Sequence, residues 1–343
     1  MQTNRLHLIS LFSLQSEGAI FIQGMNCKLP LLILGVLLFS AATLDILNGN
    51  VRTRLSPFRD YAAPLRMDIL ADEPVFYKKG DLPLILGAPH GGWLKPDDIP
   101  DRKSEDALLK GDMYTRYVAA HVAEQVAENF EGQFPYLIVC NVSRRKVDVN
   151  RPFNKGAESV AAQEVWKEYH RAIQMAVREV QSRFGYGLLL DIHGHGHKHG
   201  MVELGYLLYK DELQDLSDES VIRNSSIQSL ARRNRGNTTP STLLRGNESF
   251  GDLLNSGANL VLAVPSSKVP FPGKNDLYFR GGYTTQRYHS SSSQHDGLDV
   301  IQIELPQKLR FTSKGRAQAI DSISEAATLF LYRYYPLQER AKL

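Results

Sequence analysis

Cysteine is almost missing from this chain, with only Cys27 and Cys140 among 343 residues. Two thiols cannot build a disulfide framework. Cys140 ends an apolar run and is expected to pack as a small hydrophobe. A surplus of one charge sign is also missing, since the formal net charge is +3. No basic stripe with interleaved aromatics occurs either, so no nucleic acid partner is expected. No internal repeat is visible. No apolar run reaches the roughly 20 residues of a comfortable membrane span. What remains is ordinary globular composition, 43% apolar and 22% charged, which suits one α/β domain.

The longest apolar run, from Leu29 to Phe39, follows Lys28 and precedes Ser40-Ala41-Ala42. A basic flank, a short apolar stretch and small residues for cleavage describe a secretory signal peptide. We therefore expect residues 1–42 to be an N-terminal extension and signal, with the signal near 25–42. Translation could start at Met1 or Met25. Residues 43–343 would be the folded domain, secreted or extracytoplasmic, with no membrane contact beyond the signal segment. An uncleaved anchor is the rival reading.

Beyond residue 73, patterning alternates strand and helix. Val75-Phe76-Tyr77 and Leu82–Ala88 read as a hairpin. Tyr114 to Phe130 carries Val118, Val122, Val126 and Phe130 at helical spacing. Tyr136–Cys140 reads as a short strand. Ser159 to Phe184 reads as a long helix, with Val165, Tyr169, Ile173, Val177 and Val180 on one stripe. Leu188-Leu189-Leu190, Leu260–Val264 and Asp299–Glu304 read as further strands. Pro265 to Arg287 reads as an active-site loop, and Gly315–Tyr334 as a closing helix. This order predicts a single three-layer α/β domain with a mainly parallel central sheet.

Three polar segments lie at the ends of apolar runs, where open α/β sheets bind ligands. They are Pro89-His90-Gly91-Gly92, Ser143 to Arg151, and Asp191-Ile192-His193-Gly194-His195. A catalytic zinc typically takes three protein ligands and keeps a fourth position open. His90 and His193 are candidate ligands. Asp191, two residues from His193 in extended chain, can face the same pocket and fix that ring's tautomer. His195, His197 and His199 continue the alternation. His195 is a candidate substrate group, and the three together could form a separate surface metal site. The third ligand is harder to place, because the third residue after His90 is Trp93 rather than a carboxylate. Asp112, opening a helix, is the choice, against the bland reading of a helix cap.

Arg144, Arg145, Lys146 and Arg151 follow a buried strand. Arginine grips carboxylates bidentately, and Asp148 and Asn150 can hold the guanidiniums in place. Glu304 ends an otherwise apolar strand. On alternation it shares a face with Gln302, while Ile301, Ile303 and Leu305 take the other. A carboxylate there is costly unless paired or functional. Beside an activated water it can serve as general base and then as acid. A salt bridge to an arginine is the bland alternative.

Taken together, these motifs resemble the N-formylglutamate amidohydrolase family, relatives of the zinc carboxypeptidases and aspartoacylases. The family's Pro-His-Ser/Ala-Gly turn is matched at Pro89-His90-Gly91-Gly92. Its helix-opening Asp is matched by Asp112. Its Ser-Arg-x-x-x-Asp-Leu-Asn-Arg is matched by Ser143, Arg144, Asp148, Asn150 and Arg151, with Val149 in place of leucine. Its Asp-x-His-Ser is matched by Asp191 and His193, with Gly194 where serine is common. Gly281-Gly282-Tyr283 and Gln302-Ile303-Glu304 match its late motifs. The resemblance implies a zinc carboxypeptidase-like (phosphorylase/hydrolase-like) fold holding one Zn2+ on His90, Asp112 and His193. It implies Glu304 as general base, and Arg144 or Arg145 as the group polarising the scissile carbonyl. A substrate carboxylate would be clamped by Asn150 and Arg151, with Asp148, His195 and Tyr283 nearby. The expected function is zinc-dependent hydrolysis of an amide next to a carboxylate, in an N-acyl amino acid or small peptide. A secreted metallocarboxypeptidase and an inactive module binding acidic ligands are the alternatives.

Overall fold

Leu84–Ala88 is a run of apolar and small residues, and all five are buried. Such a run suits a strand covered on both faces, and it forms the sheet's centre. The structure, a computed structural model, describes residues 73–256, 261–290 and 297–337. The expected signal and extension, with Cys27, lie outside these residues. The strands are β1 (Val75–Lys78), β2 (Leu84–Ala88), β3 (Tyr136–Cys140), β4 (Gly187–His195), β5 (Val202–Gly205), β6 (Ala263–Val264) and β7 (Leu298–Pro306). They form one seven-stranded sheet in the order β1-β3-β2-β4-β7-β5-β6. Strands β3, β2, β4 and β7 run parallel. The flanking strands β1 and β5 pair antiparallel with β3 and β7.

The helices in chain order are α1 (Thr115–Asn129), α2 (Phe153–Gly156), α3 (Val160–Phe184), α4 (Lys210–Gln214), α5 (Asp218–Asn224) and α6 (Gln228–Arg233). They continue with α7 (Pro240–Arg245), α8 (Phe250–Leu254), α9 (Tyr283–Tyr288), α10 (Gln307–Arg310) and α11 (Ser313–Tyr334). One sheet face, with Leu84, Leu86, Leu190 and Ile303, packs on α1 and α11. The other, with Ile85, Leu189 and Val300, packs on the stripe of α3. The result is a single α/β domain in three layers with a mixed sheet. No helix among the described residues is long and apolar enough to cross a membrane.

Helix α3 shows why the local sequence suffices. Ser159 caps its start by accepting from the Ala162 N–H, and Gly185 ends it in the left-handed conformation, φ 80°. Its buried face carries Val165, Tyr169, Ile173, Val177 and Val180, the stripe read from sequence.

Four expectations change. β1 does not form a hairpin with β2; it pairs with β3, Val75 opposite Cys140. The reason is that β2 is enclosed by β3 and β4, which leaves β1 only an edge. β4 does not stop at Leu190 but continues through Asp191 and His193, because β7 pairs with it from Gly187 to His195. β5 was not anticipated. The loop read over Pro265 to Arg287 passes into α9 at Tyr283.

His170 ties α3 to the segment carrying the arginines. Its Nε2–H donates to the Val149 carbonyl at 2.9 Å, and Nδ1 lies 2.7 Å from the Tyr288 hydroxyl. Burial, aided by Arg287, lowers its pKa to about 3. The unfolded chain takes up this proton near pH 6.5, whereas the folded one resists it. Its contribution is therefore fully present above about pH 6.5 and is lost as pH falls toward 3, by roughly 1.4 kcal/mol per unit. We expect His170→Gln to be less stable than the natural protein at neutral pH and to lose less stability down to pH 4. Urea unfolding across that range checks the difference in slope.

Candidate metal centre

The carboxyl ends of β2, β3, β4 and β7 meet over the face that carries Leu189 and Val300. His90 follows β2 at the turn, where Gly91 and Gly92 let the chain press against neighbouring backbone. A side chain at position 92 would collide with Asn141. Asp112 precedes α1 but does not cap it. The helix N-cap is Tyr114, without a side-chain bond, and the Asp112 carboxylate finds its partners elsewhere.

It points to two imidazoles. Asp112 Oδ2 lies 3.2 Å from His90 Nδ1 and 3.2 Å from His193 Nδ1, and it accepts the Gly194 N–H at 3.2 Å. The two rings meet edge to face, 4.8 Å between centroids. Each far nitrogen sits on a second carboxylate. His90 Nε2 is 2.7 Å from Asp148 Oδ1, and His193 Nε2 is 2.9 Å from Asp191 Oδ2. An imidazole whose Nε2–H donates to a carboxylate turns Nδ1 toward Asp112, as the atom an ion would take in place of a proton.

This donor set fits a divalent ion of the zinc class. Ligands about 2.0–2.1 Å from a tetrahedral ion lie about 3.3 Å from one another. Both Asp112–imidazole separations match that edge, and the donor atoms of His90, Asp112 and His193 all lie within 4.8 Å of one another.

Asp148 is the hub of the arginine segment. Besides His90 it accepts Arg144 Nε–H at 2.8 Å and the Asn150 amide at 3.0 Å, with Arg102 at 3.6 Å. Burial opposes its ionisation, but His90 and Arg144 outweigh that and hold its carboxyl far below the usual range. Asp112 is likewise held low against burial by His193 and His90. Burial pulls His193 down, yet Asp191 and Asp112 more than reverse this and raise it well above its ordinary value.

Glu304 stands beside the cluster. On β7 it is the register partner of His193 on one side and of Glu203 on the other. Its Oε1 accepts Gln302 Nε2–H at 3.0 Å. Burial pushes it up to about 8; His193 opposes this, while Asp112 and Glu203 add to it. Gly282 brings a loop against these groups. Its N–H donates to Gln302 Oε1 at 2.7 Å, and a side chain there would strike Asn150. Asn150 in turn accepts the Thr284 N–H at 2.7 Å and lies 3.4 Å from His193 Nε2.

The structure thus gathers His90, Asp112, His193, Asp191, Asp148, Asn150, Arg144 and Glu304. It does not gather the other residues expected there. Arg145 turns outward to Asp101 at 3.2 Å, nearly half exposed. Neighbouring residues of a turn point apart, and Arg144 took the inward position, 3.8 Å from Asp112 Oδ1. Asp148, although gathered, is consumed by its partners rather than open to substrate. Arg151 lies at the rim, 3.7 Å from Asp106. His195 faces Glu203 instead of Asp112. The Tyr283 hydroxyl accepts from Arg287 at 2.9 Å. Arg102 was missed. It is buried, donating to the carbonyls of Arg144 and Leu108 as well as approaching Asp148. Only its place beside Asp101 in a charged loop could have hinted at it.

Fold and site together define a mixed-sheet α/β protein with a buried two-imidazole, one-carboxylate cluster at its strand ends. No protein-family model and no curated protein matches the chain. Among solved structures, N-formylglutamate amidohydrolase from Ralstonia eutropha JMP134 is similar with a TM-score of 0.45 and 15% identity, over 76% of this chain and 98% of that one. Gene product Atu2144 from Agrobacterium tumefaciens is similar with a TM-score of 0.43 and 15% identity, over 78% of this chain and 98% of that one.

Proposed function

We propose that this protein is a metal-dependent amidohydrolase that cleaves an amide next to a carboxylate, with an N-acyl amino acid as substrate class. The observation that carries the reading is Asp112 shared by two imidazoles, each anchored on its own carboxylate, with Glu304 alongside. His90, Asp112 and His193 would hold one Zn2+. Such an ion polarises a carbonyl and makes water nucleophilic near neutral pH.

The chain's own residues do the rest. Glu304 takes the proton of the attacking water and delivers it to the leaving amine nitrogen. A base with its pKa near the working pH does both tasks well, and burial of Glu304 moves it that way. Arg144, fixed by Asp148, presents its guanidinium to the oxygen that gains negative charge. Asn150 orients substrate beside His193. Arg151 captures the substrate carboxylate in exchange for Asp106. Asp191 and Asp148 position the rings.

The chelator-sensitive release of amine from N-formyl and N-acetyl amino acids, compared with dipeptides, tests the reading. Faster turnover of the N-acyl amino acids is expected. Absence of any chelator-sensitive hydrolysis would overturn it, and faster dipeptide cleavage would make the enzyme a carboxypeptidase. Removing Arg151 removes binding made equally in ground and transition states. Arg151→Ala should therefore raise KM roughly 10-fold or more with kcat nearly unchanged, by steady-state kinetics, since a charged hydrogen bond is worth about 1.5–3 kcal/mol. We also propose that the chain is exported, on the strength of Lys28 and the Leu29 to Phe39 run; mass analysis of the mature N-terminus tests it.

A further inference from the structure

Beyond the Asp112 cluster, β4 ends in His195 and the chain turns through His197 and His199 into β5. This connection returns Glu203 to the same neighbourhood. Glu203 is fully buried, and its ion-pair partners among the described residues are the three histidines. Oε1 lies 2.6 Å from His197 Nδ1, 2.9 Å from His199 Nε2 and 3.5 Å from His195 Nδ1. Oε2 accepts the Phe279 N–H at 2.6 Å, which orients the carboxylate.

The tautomers are fixed by backbone. His195 Nε2 lies 2.9 Å from the Met201 carbonyl, so that nitrogen carries the hydrogen and Nδ1 is bare. His199 Nδ1 accepts the Met201 N–H at 3.1 Å, so its Nε2 carries the hydrogen and donates to Glu203. An unprotonated imidazole nitrogen and a carboxylate oxygen therefore lie 3.5 Å apart in a buried position. The His197 N–H donates to His195 Nδ1 at 3.0 Å, a bond that an ion binding this nitrogen would replace. His195 Nδ1 and Glu203 Oε1 stand at nearly the edge length of a tetrahedral zinc site, and His197 Nδ1, which donates its hydrogen to Oε1 at 2.6 Å, would become the third ligand when an ion displaces that hydrogen. The donors of His195, His197 and Glu203 all lie within 4.8 Å of one another.

We propose that His195, His197 and Glu203 form a second cation site, which takes a divalent first-row transition ion of the zinc class. It is separate from the Asp112 cluster. Glu203 and His193 sit on β5 and β4, with β7 between them. Two strand spacings of about 4.8 Å put the Glu203 and His193 backbones roughly 10 Å apart. Ions that share a reaction stand about 3.5–4 Å apart. The second ion is therefore a clasp. It joins the β4–β5 turn to the loop at Phe279, whose ring stacks on His197 with 4.7 Å between centroids. That loop leads directly to Gly282 and its bond to Gln302.

Metal content of the full chain, saturated with Zn2+ and freed of excess ion by gel filtration, tests this without reference to activity. Wild type is expected to hold two ions, His197→Ala one, and His197→Cys two, since a thiolate restores the ligand. His195→Ala, also expected to hold one, repeats the test if His197→Ala fails to fold. His90→Ala should lose the other ion. A wild type with one ion that His197→Ala removes and His90→Ala keeps supports the clasp and overturns the first site. Equal ion counts in wild type, His197→Ala and His195→Ala overturn the clasp and leave the first site standing.

Discussion

Glu304→Gln is expected to lower turnover by roughly 10²–10⁴-fold, the range typical for removing a general acid–base. The ion should stay. Glu304 lies outside the group formed by His90, Asp112 and His193, and glutamine keeps its volume and its acceptor toward Gln302 Nε2. Stability should not fall. The carboxylate is buried between His193 and Glu203 across the sheet, and burial together with Asp112 and Glu203 disfavours its charge. A neutral amide of the same shape removes that cost. The expected pattern is thus specific: full metal content, equal or higher melting temperature, and kcat lowered with little change in KM. Metal content together with steady-state kinetics on one preparation checks it. Wild-type turnover in this variant would take the proton transfer away from Glu304.

Much of this arrangement was legible in the sequence, for reasons that differ by residue. The stripe of α3 and the runs of β2 and β3 were legible because local periodicity and capping specify them. The alternation of Gln302 and Glu304 against Ile301 and Ile303 was legible because a strand's period is two. Pairing was not. β1 and β2 are neighbours in sequence, yet the sheet places β3 between them, and long-range contacts leave no local trace. Nor could adjacent arginines be ranked. Arg144 and Arg145 are chemically identical, and only the turn that puts one on Asp148 and the other on Asp101 distinguishes them. Glu203 escaped notice for a related reason. It is a lone acid in a four-residue strand, and it meets the histidines only because β5 folds back along β7. That same return pulled His195 away from the pocket where alternation from His193 had placed it.

Asp112→Asn is expected to have the largest effect on the ion itself. The substitution leaves the main chain intact: the residue 112 N–H still donates to the His90 carbonyl at 3.0 Å, and its own carbonyl still accepts the Thr115 N–H at 3.2 Å. What disappears is the one negative oxygen that both Nδ1 atoms share. An amide is a poor zinc ligand beside a carboxylate, because charge supplies much of the attraction. Affinity should fall by more than about 100-fold, beyond the 10–100-fold typical of outer partners. Asp191→Asn provides that comparison, since its carboxylate holds only the far nitrogen of His193. An ion present at 100 times its dissociation constant adds about 2.7 kcal/mol of stability. The rise in melting temperature on adding Zn2+ to chelated protein should therefore be reduced in Asp191→Asn. In Asp112→Asn, only the part owed to the Glu203 site should persist. If Asp112→Asn kept the natural affinity while Asp191→Asn lost it, the ion would lie on the opposite side of the His193 ring, and the three-ligand assignment would have to be rebuilt around Asp191.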